Sequence, residues 1–197
     1  MQALDGIFSD ATLLAGAGGA GAIGGLFSMR LTQAAPWITT PQQPAAITQP
    51  REIRVGADLD AGTAAMAPGQ PLDTASRAGA GTLALSRLAA GGFADVEISA
   101  QGRILFAGQS AYTAPRSLLL DAPNLVAEPQ ASVALGAYSL RLQNSDPLNQ
   151  FLFSQAPATG GAGTFSATGD VVDVLGHLSI SGFGLVSLAA RGDLRFS

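Results

Sequence analysis

Short runs in which apolar and polar residues alternate fill the chain from Thr82 onward. Each run spans four to six residues and is closed by Gly, Pro, Asn or Asp; examples are 95–100, 117–122, 131–135 and 185–190. A period of two is that of a half-buried β-strand. The segment 83–90 could form two helical turns, but Gly91 and Gly92 stop it. The pattern therefore predicts an all-β fold.

The first 81 residues differ from the rest of the chain in composition. Residues 11–29 carry no charge, but six of them are glycine, which argues against a membrane-spanning helix and leaves 26–31 as a short strand. Residues 33–50 contain four prolines and no charge, which predicts an extended connector. A Gly-, Ala- and Pro-rich stretch follows from 56 to 81. We therefore predict two parts: 1–81, a Gly/Pro-rich irregular region with short strands and a connector, and 82–197, a regular β-structure.

A weak internal repeat indicates how the strands are arranged. Residues 93–106 align without gaps on 183–196, with five of fourteen positions identical, and shorter echoes suggest a repeat of roughly 15 to 30 residues. Repeated strands joined by tight glycine turns favour a solenoid. We predict a right-handed parallel β-helix of roughly five coils over 82–197. A β-sandwich remains the structural alternative.

The β-helix prediction assigns a direction to each side chain of the first repeat. Inward positions, expected to form aliphatic ladders, are Val96, Ile98, Ala100, Ile104 and Phe106. Positions expected to face water are Asp95, Glu97, Ser99 and Arg103. Because the chain stops within a strand at 194–197 and has no polar cap, we expect a segment truncated at its C-terminus, capable of end-to-end self-association.

The composition excludes several classes of function. The chain has no Cys, no Lys and a single His, which removes disulfides, lysine chemistry and the usual His- or Cys-based metal sites. Its ten basic residues are scattered among fourteen acidic ones, and the net charge is -4, so nucleic acid is not an expected partner. The start of the chain lacks the basic residues of a secretory signal peptide. We expect no cofactor.

Five segments of the chain resemble one protein family. Together they look like the later part of filamentous haemagglutinin-family exoproteins, and they cover 91–99, 102–104, 118–123, 175–183 and 190–194. The resemblance implies a β-helical segment of a large secreted adhesin on the surface of a Gram-negative bacterium. It also implies export by an outer-membrane transporter through a region absent here, and host or bacterial cell-surface receptors or glycans as partners. The alternative function is a β-helical carbohydrate-active enzyme or polysaccharide-binding module.

Two short motifs could carry function. Arg191, Gly192 and Asp193 form an RGD tripeptide, the motif that integrins read, although the repeat places it at the same kind of strand-turn-strand corner as 101–103 and 168–170. We therefore interpret it as a set of turn residues, with integrin-type adhesion as the alternative.

Residues 16–21 match the GxGxxG dinucleotide fingerprint. They lack the following helix and acidic residue that this site needs, so we interpret them as a low-complexity glycine run.

No residue is assigned a catalytic role. Asp170 and Asp173, with Asp193 one or two coils away, could be paired carboxylates of a hydrolase, but residues three apart on a strand face opposite sides unless a bend intervenes. His177 has no relay partner and is expected to be a surface imidazole.

Trp37 is expected to anchor the connector to the β-helix. The two tyrosines, Tyr112 and Tyr138, are too few for an aromatic stacking platform. The chain is thus predicted not to be an enzyme.

Overall fold

β-strands dominate the fold. A computed structural model describes residues 1–3, 6–32, 51–62, 78–146 and 160–197. Within these ranges the helix α1 covers Leu85–Gly91 and ends at Gly92, whose φ of 69° is left-handed. The strands are β1 (Gln2–Ala3), β2 (Gly6–Phe8), β3 (Leu26–Leu31), β4 (Glu52–Gly56), β5 (Ala80–Ala84), β6 (Asp95–Ala100), β7 (Arg103–Ala107), β8 (Gln109–Asp121), β9 (Asn124–Ala127), β10 (Ser132–Gln143), β11 (Thr164–Leu175), β12 (Ser179–Ser181) and β13 (Leu185–Phe196). The described residues are mostly strand, which agrees with the predicted all-β class. The expectation that Gly91 and Gly92 prevent a helix over 83–90 is wrong, because the helix forms over Leu85–Gly91 and ends at Gly92.

The strands form two sheets. Sheet A has the order β1-β3-β6-β8-β10-β11-β13, and sheet B has the order β12-β9-β7-β4-β5-β2. The neighbouring strands of both sheets run parallel. Parallel neighbours cannot be joined by hairpins, so the chain leaves one sheet and returns before it pairs again. This arrangement rules out the hairpin-linked antiparallel sandwich that was the structural alternative.

Equivalent apolar side chains stack across sheet A. The register pairs Val96 with Leu118, Leu118 with Leu140, Leu140 with Val172 and Val172 with Leu194. The first two steps and the last are 22 positions along the chain, and the step from Leu140 to Val172 is 32. Such a column buries one aliphatic side chain per strand against the next, and the first four members are at most 2% exposed.

The predicted inward positions are confirmed, and one predicted outward position is wrong. Val96, Ile98, Ala100, Ile104 and Phe106 are all at most 2% exposed. Asp95, by contrast, was expected to face water but is only 7% exposed. It is buried because its carboxylate accepts hydrogen bonds from Arg116 and Ser117 on the neighbouring strand, which replace the lost water.

The aligned repeat does not correspond to equivalent structure. In 93–106 the chain turns at Gly102 and passes from β6 of sheet A to β7 of sheet B. In 183–196 the chain stays in sheet A, where β13 runs through Gly192 beside an irregularity in the β11 register. A glycine between two alternating runs fits a corner between sheets and a bend within one strand equally well, which is why the sequence match misled.

Strands from both sides of the predicted boundary at residue 81 belong to the same sheets. The predicted strand 26–31 is confirmed as β3, which pairs with β6. Strand β4 pairs with β7, and β5 lies between β4 and β2. The connector 33–50 with Trp37, and residues 63–77 of the second Gly/Pro-rich stretch, lie outside the described residues.

Candidate binding groove at the strand bend

Four long strands of sheet A bend near their middle. Strands β8, β10, β11 and β13 each have 12 or 13 residues. The register between β8 and β10 shifts between Ala137 and Ser139, and the register between β11 and β13 shifts between Gly169 and Val171. A register irregularity changes the direction of the strand, and irregularities on neighbouring strands lie side by side here. The aligned bends create a groove that crosses the four strands.

The groove has a volume of about 590 Å³. Small residues line part of it, and two of them leave no room for a side chain: a Cβ on Gly136 would lie 2.9 Å from Thr113 Oγ1, and a Cβ on Gly169 would lie 2.8 Å from the Ala137 carbonyl oxygen. Larger and polar side chains also line it: Thr113, Pro115, Tyr138, Thr168, Asp170 and Arg191. We call this feature the bend groove.

The bend groove combines an exposed aromatic ring with one charge of each sign. Tyr138 is 60% exposed, whereas Tyr112 on the adjacent strand is 5% exposed and packs in the core. Arg191 Nη1 lies 3.4 Å from Asp170 Oδ1, and the Arg191 side chain is 89% exposed. An exposed ring supplies apolar contact area, while the hydroxyl, guanidinium and carboxylate groups can bind the polar groups of a ligand.

The RGD tripeptide lies at the rim of this groove. It occupies the bend of β13, and Gly192 lies against Asp170 of β11, whose carbonyl oxygen would be 3.0 Å from a Cβ at Gly192. The interpretation of the tripeptide as turn residues at a strand-turn-strand corner is wrong, because 191–193 lie within the continuous strand β13. They neighbour 168–170, which lie within β11, whereas 101–103 form the corner between the two sheets. Arg191 and Asp193 are both exposed. Integrin-type recognition stays a prediction.

The three carboxylates considered for catalysis have different surroundings. Asp173 is 3% exposed and pairs with Arg195 and Arg141, which lie on the strands on either side. The hydrogen bonds from Arg195, helped by the charge of Arg141, hold the pKa of Asp173 below its ordinary value against the opposing effect of burial. Asp170 faces the groove with Arg191. The structure therefore places Asp170 and Asp173 in separate ion pairs, Asp170 with Arg191, and Asp173 with both Arg141 and Arg195.

The remaining candidate residues lie outside the groove. Residues 16–21 form an exposed turn that leads into strand β3, where the fingerprint would need a helix. His177 is exposed, and its carbonyl oxygen accepts a hydrogen bond from Asn144 Nδ2 at 3.0 Å.

In the described ranges no group of three or more His, Asp or Glu side chains could hold a metal ion. No described helix has the length and apolar character required to cross a membrane.

Comparisons of the chain with protein-family models, with curated proteins and with solved structures each find no match. The resemblance to filamentous haemagglutinin-family exoproteins therefore stays a prediction.

Sequence reasoning missed the bend groove. Thr113, Tyr138, Thr168 and Arg191 are separated by more than 20 residues at each step and come together only through the parallel register. The sequence signal for this register is the 22-residue spacing between the apolar runs that begin at Ser117 and Ser139. The signal is hard to recognise as a repeat because the next spacing, from Ser139 to Val171, is 32 residues.

Proposed function

We propose that this chain is a right-handed parallel β-helix that serves as a structural segment of a secreted filamentous adhesin and mediates attachment to cells or surfaces. The observation that carries the proposal is the parallel pairing of five strands of sheet A, β6, β8, β10, β11 and β13, in the order in which they follow along the chain. Parallel pairing of successive strands is what a solenoid requires, because each coil contacts only its neighbours.

Charge pairs between neighbouring strands support a stiff shaft. Arg103 of β7 pairs with Glu52 of β4, Arg116 of β8 with Asp95 of β6, and Arg195 of β13 with Asp173 of β11. Each pair joins residues that are adjacent in space but at least 21 positions apart in sequence. Pairs of this kind resist sliding of one strand along the next, because a slip of one residue would separate the charges and move apolar side chains out of the core.

The bend groove is the surface through which we propose that the shaft contacts its partner. Tyr138 can lie flat against the apolar face of a sugar ring or a receptor side chain, and Arg191 and Asp170 can bind hydroxyl or charged groups beside it. Cell-surface receptors or glycans are the corresponding partners. Location outside a Gram-negative cell, and export by an outer-membrane transporter, belong to the same proposal.

Adhesion of protein-coated beads tests the proposal. Beads carrying the chain are applied to cultured epithelial cells and to bacterial cells, and bound beads are counted. We expect Tyr138→Ala to weaken the binding affinity about thirtyfold, the effect of removing an aromatic hot spot. The matched control is Ile23→Ala, since Ile23 is 61% exposed and outside the groove. No binding by the unmodified chain, or equal losses in both variants, would refute adhesion through this groove.

A second candidate function is polysaccharide binding or hydrolysis, which the bend groove favours because it crosses several strands and carries a carboxylate, Asp170. Incubation with polysaccharides, followed by an assay for reducing ends, separates the two forms of this candidate. Retention on immobilised polysaccharide without new reducing ends indicates a binding module. Release of reducing ends that Asp170→Asn abolishes indicates an enzyme.

A further inference from the structure

The outer edge of β13 offers backbone groups for pairing. In sheet A, β13 is the terminal strand, and among the described residues it pairs only with β11. Leu185 N–H donates to the Gly163 carbonyl and Ser197 N–H donates to the Val174 carbonyl. Because alternate residues of a parallel strand point their peptide groups to opposite neighbours, the even-numbered residues of β13 direct theirs away from β11.

This edge is apolar on one face and charged on the other. Leu188 and Ala190 pack against the hydrophobic core, and Leu194 and Phe196 continue the columns of the buried Val172 and the partly buried Val174. Yet Leu194 is 41% exposed and Phe196 is 66% exposed. A long edge strand with exposed apolar side chains is a template for pairing with another strand.

The sequence of β13 is complementary to itself when two copies run antiparallel about Gly192. In this register Leu194 lies opposite Ala190 of the second copy, and Phe196 lies opposite Leu188. All four are on the core side, so the two cores become continuous. On the other side Arg191 lies opposite Asp193 of the second copy, twice by symmetry. Opposite charges placed directly across strands stabilise the pair.

The outward-facing peptide groups fit the same register. Gly192 meets its own copy, Leu194 meets Ala190 and Phe196 meets Leu188, and all of these are even-numbered residues with peptide groups on the free edge. Such pairs exchange two hydrogen bonds across an antiparallel ladder. A register shifted by one residue would set core-facing side chains opposite charged ones.

Stacking head to tail is the competing arrangement for two copies. It would place β13 against the other end of sheet A, which is β1, a strand of two residues, Gln2–Ala3. That end offers little backbone for a strand of 12 residues. A two-fold dimer, in contrast, uses the whole of the same edge twice.

We propose that two copies of this chain associate through antiparallel pairing of their β13 edges, with the two-fold axis at Gly192. The inference does not depend on the proposed adhesive function. The dimer places Arg191 and Asp193 in its interface, so it covers the RGD tripeptide and joins the bend grooves of the two copies end to end.

Charge variants test the register in solution. Arg191→Glu sets a new carboxylate against that of Asp193, and Asp193→Arg sets two guanidinium groups together. Each variant alone should therefore be monomeric by analytical ultracentrifugation at concentrations on the order of 100 µM, where the unmodified chain is dimeric. A 1:1 mixture of the two restores opposite-charge pairing across the interface and should form a heterodimer. This rescue also shows that the variants are folded.

A cysteine crosslink provides an independent measurement, since the chain has no cysteine of its own. Gly192→Cys places two thiols across the axis, at a Cα separation of roughly 5.5 Å that suits a disulfide. Ser187→Cys is the control on the same strand, because its two copies lie far apart in this register. We expect oxidised dimer from Gly192→Cys alone. A monomeric unmodified chain, a mixture that stays monomeric, or equal crosslinking of both variants would overturn the proposal.

Discussion

Arg195 of β13 donates two parallel hydrogen bonds to Asp173 of β11, 2.6 Å from Nε to Oδ1 and 2.9 Å from Nη2 to Oδ2. The two residues are directly paired in the register. Asp173 is buried, while its partner's guanidinium remains in contact with solvent. Arg141 on the opposite neighbouring strand adds a third contact at 3.5 Å. One carboxylate thus links three successive strands of sheet A.

Asp173→Asn should destabilise the protein by about 1–2 kcal/mol at neutral pH. The amide keeps the shape but loses the charge, and its NH₂ group faces an arginine; the cost stays moderate because the guanidinium is exposed. Urea unfolding at pH 7, followed by circular dichroism, measures the change. Asp58→Asn is the control, because Asp58 is exposed. Equal stabilities of the two variants would show that the Asp173 contacts do not stabilise the fold.

Stability should fall in acid because of Asp95 and Asp173. Hydrogen bonds from Arg116 and Arg195 lower the pKa of each carboxyl below its ordinary value of 3.8. The folded state therefore binds protons less readily than the unfolded state, so these contributions are complete above pH 3.8 and disappear as the pH falls below it, through the folded pKa values. Urea unfolding at a series of pH values from 7 to 2 measures this slope.

The double variant Asp95→Asn, Asp173→Asn identifies the source of the acid sensitivity. Its stability at pH 7 should be lower than that of the unmodified chain, and its decline below pH 4 should be shallower, because two of the groups responsible no longer titrate. A slope as steep as that of the unmodified chain would assign the acid sensitivity to other carboxylates.

Strand positions and inward faces could be predicted from the sequence because they depend on local alternation. Strand β3 and the burial of Val96, Ile98 and Ala100 follow from a period of two, which any β-sheet imposes on its side chains. Asp95 was misassigned because its burial depends on Arg116, 21 positions away. Alternation along one strand carries no information about the charge on the next.

The order of strands and the bend groove could not be predicted in the same way. Strand β5 lies between β4 and β2, although β4 precedes β5 in the chain, so the order in sheet B departs from simple winding. The two tyrosines are too few to predict an aromatic stacking platform, and the sequence does not indicate that Tyr138 is the exposed one. Its exposure follows from the bend, and the bend follows from the register irregularity beside Ala137, which depends on contacts between β8 and β10.

Phe165→Ala should cost about 3–5 kcal/mol, as expected for a large buried aromatic side chain replaced by a methyl group. Phe165 is fully buried, and its ring centroid lies 5.9 Å from that of Phe106 and 5.4 Å from that of Phe183. These rings join the two sheets. Leu14→Ala is the control, since Leu14 is 76% exposed. Thermal or urea unfolding measures both, and a Phe165→Ala loss no larger than that of Leu14→Ala would contradict this packing.

Gly163→Ala should destabilise the protein although it adds only one methyl group. A Cβ at Gly163 would lie 1.8 Å from the carbonyl oxygen of Ala131, so the backbone segments that lead into β10 and β11 would have to separate. We expect a loss of roughly 1–3 kcal/mol, in the range of overpacked cores. Gly18→Ala is the matched control, because nothing lies within 4 Å of a Cβ there. Urea unfolding compares the two, and since the added methyl is the same, a similar stability for both would mean that β10 and β11 do not approach each other this closely.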